Sequence, residues 1–375
     1  MKLSKPYACF FSGLILCFFL LNAAASSTAL WREEKTQKGL HIFIDAQMDI
    51  PEDRRYGIWD IAPGVVSEVE AQGISNVLFR RSNSPLQHFA PAKDFESADK
   101  ALSLSILKYA LAQDNQTQNV EVLNFYNYAR SGTTATSRIY YSCEARSNGA
   151  DFSSSLLRTE VDTLRGYEKS IETIINETAA TTRQIAPGFD LFSMGTLSRE
   201  ATTDSERKNP ESIPKMIGLV YTRKVQDLPI LYQYNEDTAP SLVFAGLTQP
   251  SEYIKVMVGD KGIAEMVFEG YLAVGSELQS NVALLTSKEI QQIAKDELGK
   301  WIWRHYGKDA AGELHINSVR LGYYIQNAED NSGRSILIPA WNFYGNFGKM
   351  HGQRDNVAQS VCFLSLNAVT GEVLK

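Results

Sequence analysis

The chain has 375 residues, 44% of them hydrophobic and 10% aromatic, enough to pack one large unit or two modest ones. Its formal charge is −6, and the first 25 residues hold two lysines, Lys2 and Lys5, and no acid, so the remainder is more acidic still. That balance excludes nucleic acid or an anionic membrane face as the main partner, because both demand clustered Lys and Arg.

Residues 1–25 combine Lys2 and Lys5, an apolar run from Phe10 to Leu21 and the small residues Ala23 to Ala25. This is the layout of a secretory signal peptide with cleavage near Ala25, and the apolar run is shorter than the ~20 residues a spanning helix needs. The chain is therefore expected to be secreted or extracytoplasmic, and to touch the membrane only if this segment stays uncleaved. The large Leu16 ahead of Cys17 speaks against lipid attachment. Past the signal two cysteines remain, Cys143 and Cys362. Each sits in an apolar run where a small buried thiol fits, and their spacing carries no disulfide signature.

Residues 26–40 are polar and without period, and are read as a tether. From His41 to Ile50 apolar and polar residues alternate, with Phe43 the one aromatic on the polar side; this predicts a half-buried strand closed by Pro51. Residues 51–64 read as a connection, and 65–77 as a short helix. A helix is expected over 97–113 from the apolar stripe Ala98, Ala101, Leu102, Ile106, Tyr109 and Leu111. Val120 to Tyr128 and Arg138 to Ala145 read as a hairpin. From Leu157 to Ile175 the spacing supports one long helix or two broken at Gly166.

The stretch 199–214 has almost no apolar residue and two prolines, so it is expected to be an exposed loop between an N-terminal domain, 41–198, and a C-terminal domain, 215–375. Beyond it come strands near 216–221 and 229–234, then a hairpin at 254–258 and 263–268 around Gly259-Asp260-Lys261-Gly262. Thr286 and Glu289 form a capping box ahead of a helix whose apolar stripe runs from Ile290 to Ile302. Strands at 316–326, 335–343 and 360–367 close the chain, with Thr370-Gly371 turning into Glu372 to Leu374.

The order GDKG hairpin, TSKEI helix, SVRLGYYI, SILIPAWNFYG and FLSLNAVTGEVL resembles the C-terminal part of the YycH/YycI-type extracytoplasmic regulators, and a related uncharacterised family of secreted or lipid-anchored Gram-positive bacterial proteins. The last piece is similar to the closing strand and turn of PepSY-type modules, which commonly carry an acidic residue at the position of Asn367. The resemblance spans roughly residues 250–375, and IFIDAQMDIP at 42–51 is similar to the first strand of the uncharacterised family. It implies an α+β fold of helix-plus-antiparallel-sheet units, no catalytic residues, and action by binding a membrane sensor protein.

No motif of catalysis stands out. There is no Gly-x-Ser-x-Gly, and neither Cys143 nor Cys362 lies in a nucleophile context. Five histidines, His41, His88, His305, His315 and His351, are scattered without HExxH or HxH spacing. The polar run Asn327 to Gly333 opens on an amide where a calcium loop opens on aspartate, and Gly259 and Gly262 are not followed by a helix as a nucleotide loop requires. Acid pairs such as Asp260 with Glu265 have no fixed separation in the sequence. No catalytic, cofactor-binding or metal-binding residue is assigned.

What remains is aromatic: alternation puts Trp341 and Phe343 on one face of their strand, expected to pack on the helix at Trp301 and Ile302, and Tyr344 on the other. Tyr344, Phe347 and Arg354 are thus the candidate partner-binding residues. The expected function is a non-catalytic secreted or cell-surface binding protein that regulates a membrane sensor. The alternatives are a cell-surface carbohydrate- or peptide-binding module and a secreted hydrolase with a site no motif marks.

Overall fold

The alternation of residues 41–50 forms a strand of the expected kind. β2, Leu40–Pro51, buries Leu40, Ile42, Ile44, Ala46 and Met48 and turns His41, Asp45 and Gln47 to solvent. The structure is a computed structural model that describes residues 26–37, 39–51, 55–79, 87–92, 102–112, 120–130, 136–143, 169–198, 203–209, 215–231, 252–259, 261–306, 312–327, 335–347 and 361–374. The segment expected to be a tether is a strand, β1, Ser26–Gln37, paired antiparallel with β2 from Ser26 opposite Pro51 to Gln37 opposite Leu40. Its polar look has a physical cause: an edge strand with one face in water needs few apolar residues. β3, Tyr56–Pro63, likewise replaces the expected connection over 51–64.

Two sheets follow, and helices are few. In chain order the further elements are α1, Glu68–Leu78; β4, Gln87–Ala92; β5, Leu102–Ala112; β6, Val120–Arg130; β7, Thr136–Cys143; α2, Ile171–Ile185; β8, Phe189–Ser198; and the five-residue helix α3, Asp204–Lys208. The rest are β9, Lys215–Val225; β10, Leu228–Pro229; β11, Tyr253–Gly259; β12, Gly262–Glu269; β13, Leu272–Val282; α4, Ser287–Tyr306; β14, Gly312–Asn327; β15, Ser335–Phe347; and β16, Val361–Asn367. The expected α+β class of helix-plus-sheet units is thereby overturned: the protein is mostly β. One reason is β5. The expected helix over 97–113 is a strand along residues 102–112, paired with β4 on one side and β6 on the other. The run Leu102-Ser-Leu-Ser-Ile106 alternates with period two as readily as it fits a helical stripe, and the waiting edge of β6 decides between them.

Sheet A runs β1-β2-β14-β15-β3-β13, with β16 on the C-terminal part of β15. All its pairings are antiparallel except β2 with β14. Sheet B runs β10-β9-β11-β12-β7-β6-β5-β4, with β8 on β9. Sheet A thus takes the two ends of the described chain and sheet B its middle. The chain leaves sheet A at Pro63, opposite Leu272 where it returns, and the Gly64 N–H donates to the Tyr271 carbonyl at 2.7 Å. The stretch 199–214 does not separate the sheets, because β8 before it and β9 after it pair with each other in sheet B; its described part, 203–209, includes the exposed α3.

Each sheet packs one face on helix. On sheet A, Ile290, Ala294 and Leu298 of α4 meet Ile42, Ile44, Ile316, Trp341 and Phe343. Thr286 caps α4 as expected, its N–H donating to Glu289 Oε2 at 2.8 Å. On sheet B, Ala71 and Ile74 of α1 and Ile174 of α2 cover Phe125, Tyr141, Leu219, Val256 and Phe268. A second capping box, Ser67 with Glu70, starts α1 and was equally present in the sequence. Of the expected helix or helices over 157–175, residues 157–168 lie outside the described residues. Cys143 and Cys362 are both free thiols.

Candidate binding surface

The face of sheet A turned away from α4 is divided in two. Over the C-terminal half of β14 it is covered. Tyr324, Ile338, Ala340 and Leu231 form a small buried cluster there, packed against Phe192 of β8 and Leu374. Tyr344, opposite Ser318 at the middle of β14, lies under the same cover. Its ring meets Phe192 edge-on at 6.1 Å, and its hydroxyl accepts from Asn342 Nδ2 at 3.0 Å. Burial, and then the neighbouring Cys362, push its phenol well above the ordinary range. Arg320 closes the seam: its guanidinium lies 4.5 Å from the Phe192 ring centre and its Nη1 donates to the Phe192 carbonyl at 2.8 Å. Tyr344, a candidate for partner binding on sequence grounds, is thus 6% exposed and used inside the molecule. Alternation correctly placed it opposite Trp341 and Phe343, but the face it reached is covered by β8. For Phe347 only the backbone is described, opposite Leu314; Arg354 lies outside the described residues.

The other half of this face, over β1, β2 and the start of β14, is open. Here the parallel pairing of β2 with β14 sets His41 opposite Glu313 and Phe43 opposite His315. The three rings stack: Phe43 lies 4.8 Å from His315 with planes 14° apart, and 6.4 Å from His41 with planes 16° apart. His315 Nε2 is 3.3 Å from Glu313 Oε2, and His41 Nδ1 is 3.0 Å from Thr36 Oγ1. Arg32 pairs across the strands with Asp45 at 3.1 Å. Because the ring faces cover one another, a partner meets their edges: C–H groups of Phe43 flanked by imidazole nitrogens and carboxylates. Among the described residues no three His, Cys, Asp or Glu are placed to hold a metal ion.

Sequence reading missed this surface because His41 and His315 are far apart in the chain. The signal it left was Phe43, an aromatic on the solvent side of an otherwise clean alternation.

Two charged groups lie deeper. On the face of sheet B away from α1 and α2, Arg138 pairs with Glu269 at 2.7 Å, near Lys255 and Glu265. Burial pushes the Lys255 amine down to about 8, against the pull of Glu269. Burial also raises the Glu269 carboxyl, against Arg138 and Lys255. Two cations and two anions balance here, as in a group that ties strands together. The second group is the clamp at the crossing between sheets. Glu252, fully buried, takes Arg223 in a fork at 2.6 and 2.7 Å and the Leu272 N–H at 2.9 Å, while Arg223 Nη2 also donates to the Leu272 carbonyl at 3.2 Å. Burial raises the Glu252 carboxyl while Arg223 and the Leu272 N–H oppose that shift.

No protein-family profile matches the chain, and no curated protein matches it. The fold is similar to the crystal structure of an uncharacterized protein from Eubacterium rectale, with a TM-score of 0.56 over 89% of this chain and 90% of that one, at 13% identity. That likeness concerns the fold alone.

Proposed function

We propose that this protein acts outside the cytoplasm by binding, without catalysis, and that the open half of sheet A is where it binds. The observation that carries the reading is the His41, Phe43 and His315 stack. It is an aromatic cluster left at the surface of a sheet whose other half is covered. The export-type pattern of residues 1–25 supports the compartment. The partner class is a membrane protein with an exposed outer domain, as the resemblance of residues 250–375 to kinase-restraining regulators implies.

Crosslinking in the native host tests this. The wild-type protein should recover a membrane protein, and Phe43→Ala combined with His315→Ala should lose it while keeping the wild-type circular dichroism spectrum. Recovery of the same partner by the double variant would move the site elsewhere, and recovery of no membrane protein by the wild type would sink the reading.

A further inference from the structure

The two ends of the strand path of sheet A, β1 and β13, are built differently. On β13 the pairing with β3 breaks register three times between Val274 and Val282, and Asn281 takes a φ of 56°. Such irregularity discourages another strand from adding there. β1 has no such defence. It is twelve residues long, pairs with β2 without a bulge, and has no strand on its other side among the described residues. The hairpin closes with Gln37 opposite Leu40 and Gly39 at φ 86°. In a two-residue hairpin the flanking pair shares both ladder hydrogen bonds, so the alternate residues Leu30, Arg32, Glu34 and Thr36 turn their N–H and C=O groups to the open edge.

Charges on an edge ordinarily keep it single. Here, however, their order is self-complementary. We propose that β1 is the interface of a homodimer, in which β1 of a second copy adds antiparallel with Glu33 at the two-fold axis, so that Arg32 of each copy faces Glu34 of the other. Among the registers that match outward N–H and C=O groups, this one puts opposite charges across the axis on the open face. One step toward the N-terminus sets Arg32 against Arg32; one step the other way sets Glu34 against Glu34 and would pair Glu33 with a Lys35 that already bonds the Lys295 carbonyl and Asp296. In the proposed register Leu30, which is 58% exposed, lies opposite Thr36 of the second copy. Arg32, already 3.1 Å from Asp45, then sits between two carboxylates, and Glu34 gains a cation that its own chain gives it no ion pair with among the described residues. On the α4 side the two Glu33 carboxylates meet, each held by Lys295 at 2.8 Å and by Trp31 Nε1 at 3.0 Å. The two-fold axis stands perpendicular to the sheet, so both open faces point the same way and join into one surface.

Sedimentation equilibrium on the mature chain is the test. A dimer is expected at about 100 µM. Glu34→Pro removes one outward N–H and leaves the β1–β2 ladder intact, so it should give a monomer with an unchanged circular dichroism spectrum. Glu34→Arg should weaken the dimer about tenfold, since two cross-strand ion pairs become like-charge pairs, and the swap Arg32→Glu with Glu34→Arg should restore it. Glu33→Cys sets two thiols on facing residues of a non-hydrogen-bonded pair, where Cα atoms lie ~4.5 Å apart, and should crosslink on mild oxidation. A monomeric wild type, a dimer that survives Glu34→Pro, or a dimer in which Glu33→Cys fails to crosslink would each overturn the proposal.

Discussion

The two halves of the outer face of sheet A share strands, alternation and residue types, yet one is interior and the other is surface. From the middle of β14 to its end, Tyr344 and Tyr324 pack with Phe192 and, like Asn342, are almost free of water. Over its start, His315 and Phe43 stack in the open. Nothing local separates them. What separates them is where sheet B returns: Ile230 bridges to Tyr323 in parallel, and the Leu231 N–H donates to the Tyr323 carbonyl at 2.7 Å, just past the point where β2 leaves β14. An aromatic on a strand is therefore core or site according to its neighbour in space.

The covered half depends on the clamp and the seam, and there the largest effects are expected. Glu252→Ala leaves Arg223 without its buried carboxylate and should cost about 3–5 kcal/mol of stability, read by urea denaturation. If the loss were below about 1 kcal/mol, the crossing would not be held by this pair. Next comes Gly322→Ala. A Cβ there would lie 2.5 Å from the Pro229 carbonyl oxygen and 2.6 Å from Leu231 Cδ2, so the close approach of β10 to β14 must loosen. About 1–3 kcal/mol should be lost, together with part of the near-ultraviolet aromatic signal.

The open half should answer differently. Phe43→Ala is expected to cost about 1 kcal/mol or less, the worth of a half-buried ring stack, while removing partner capture in crosslinking. A loss comparable with that of Glu252→Ala would show that Phe43 is core, and the contrast between the halves would collapse.

A further effect, read against pH, concerns the buried group of sheet B. Lys255 has an ordinary value of 10.5 and a folded one of about 8. Between these the unfolded chain holds a proton that the folded chain has released, so stability should rise as pH climbs from about 8 toward 10.5. Below 8 both states are charged, and the cost of burying that charge is fully present. Denaturation midpoints across this window should rise in the wild type and stay flatter in Lys255→Met.

Much of the fold was legible where the cause is local. The alternation of β2, the hairpins β6–β7 and β11–β12, the capping box of α4 and the three closing strands all follow from side-chain period, turn residues or a cap. The errors fell where a neighbour decides. β1 looked like a linker because an edge strand with one face in water carries little apolar signal, β3 because Pro51, Gly57, Pro63 and Gly64 read as a connection, and β5 looked helical because its leucines satisfy both periods.

The site divides the same way. Sequence alone determined that Phe43 stands on the wet side of β2 and that Tyr344 stands opposite Trp341, since alternation is a property of the backbone. Only the tertiary structure decided that Tyr344 is covered, that His41 and His315 flank one ring, and that the chain's middle forms a sheet of its own between strands that pair with each other. Those outcomes rest on contacts between residues far apart in the chain, which no local period encodes.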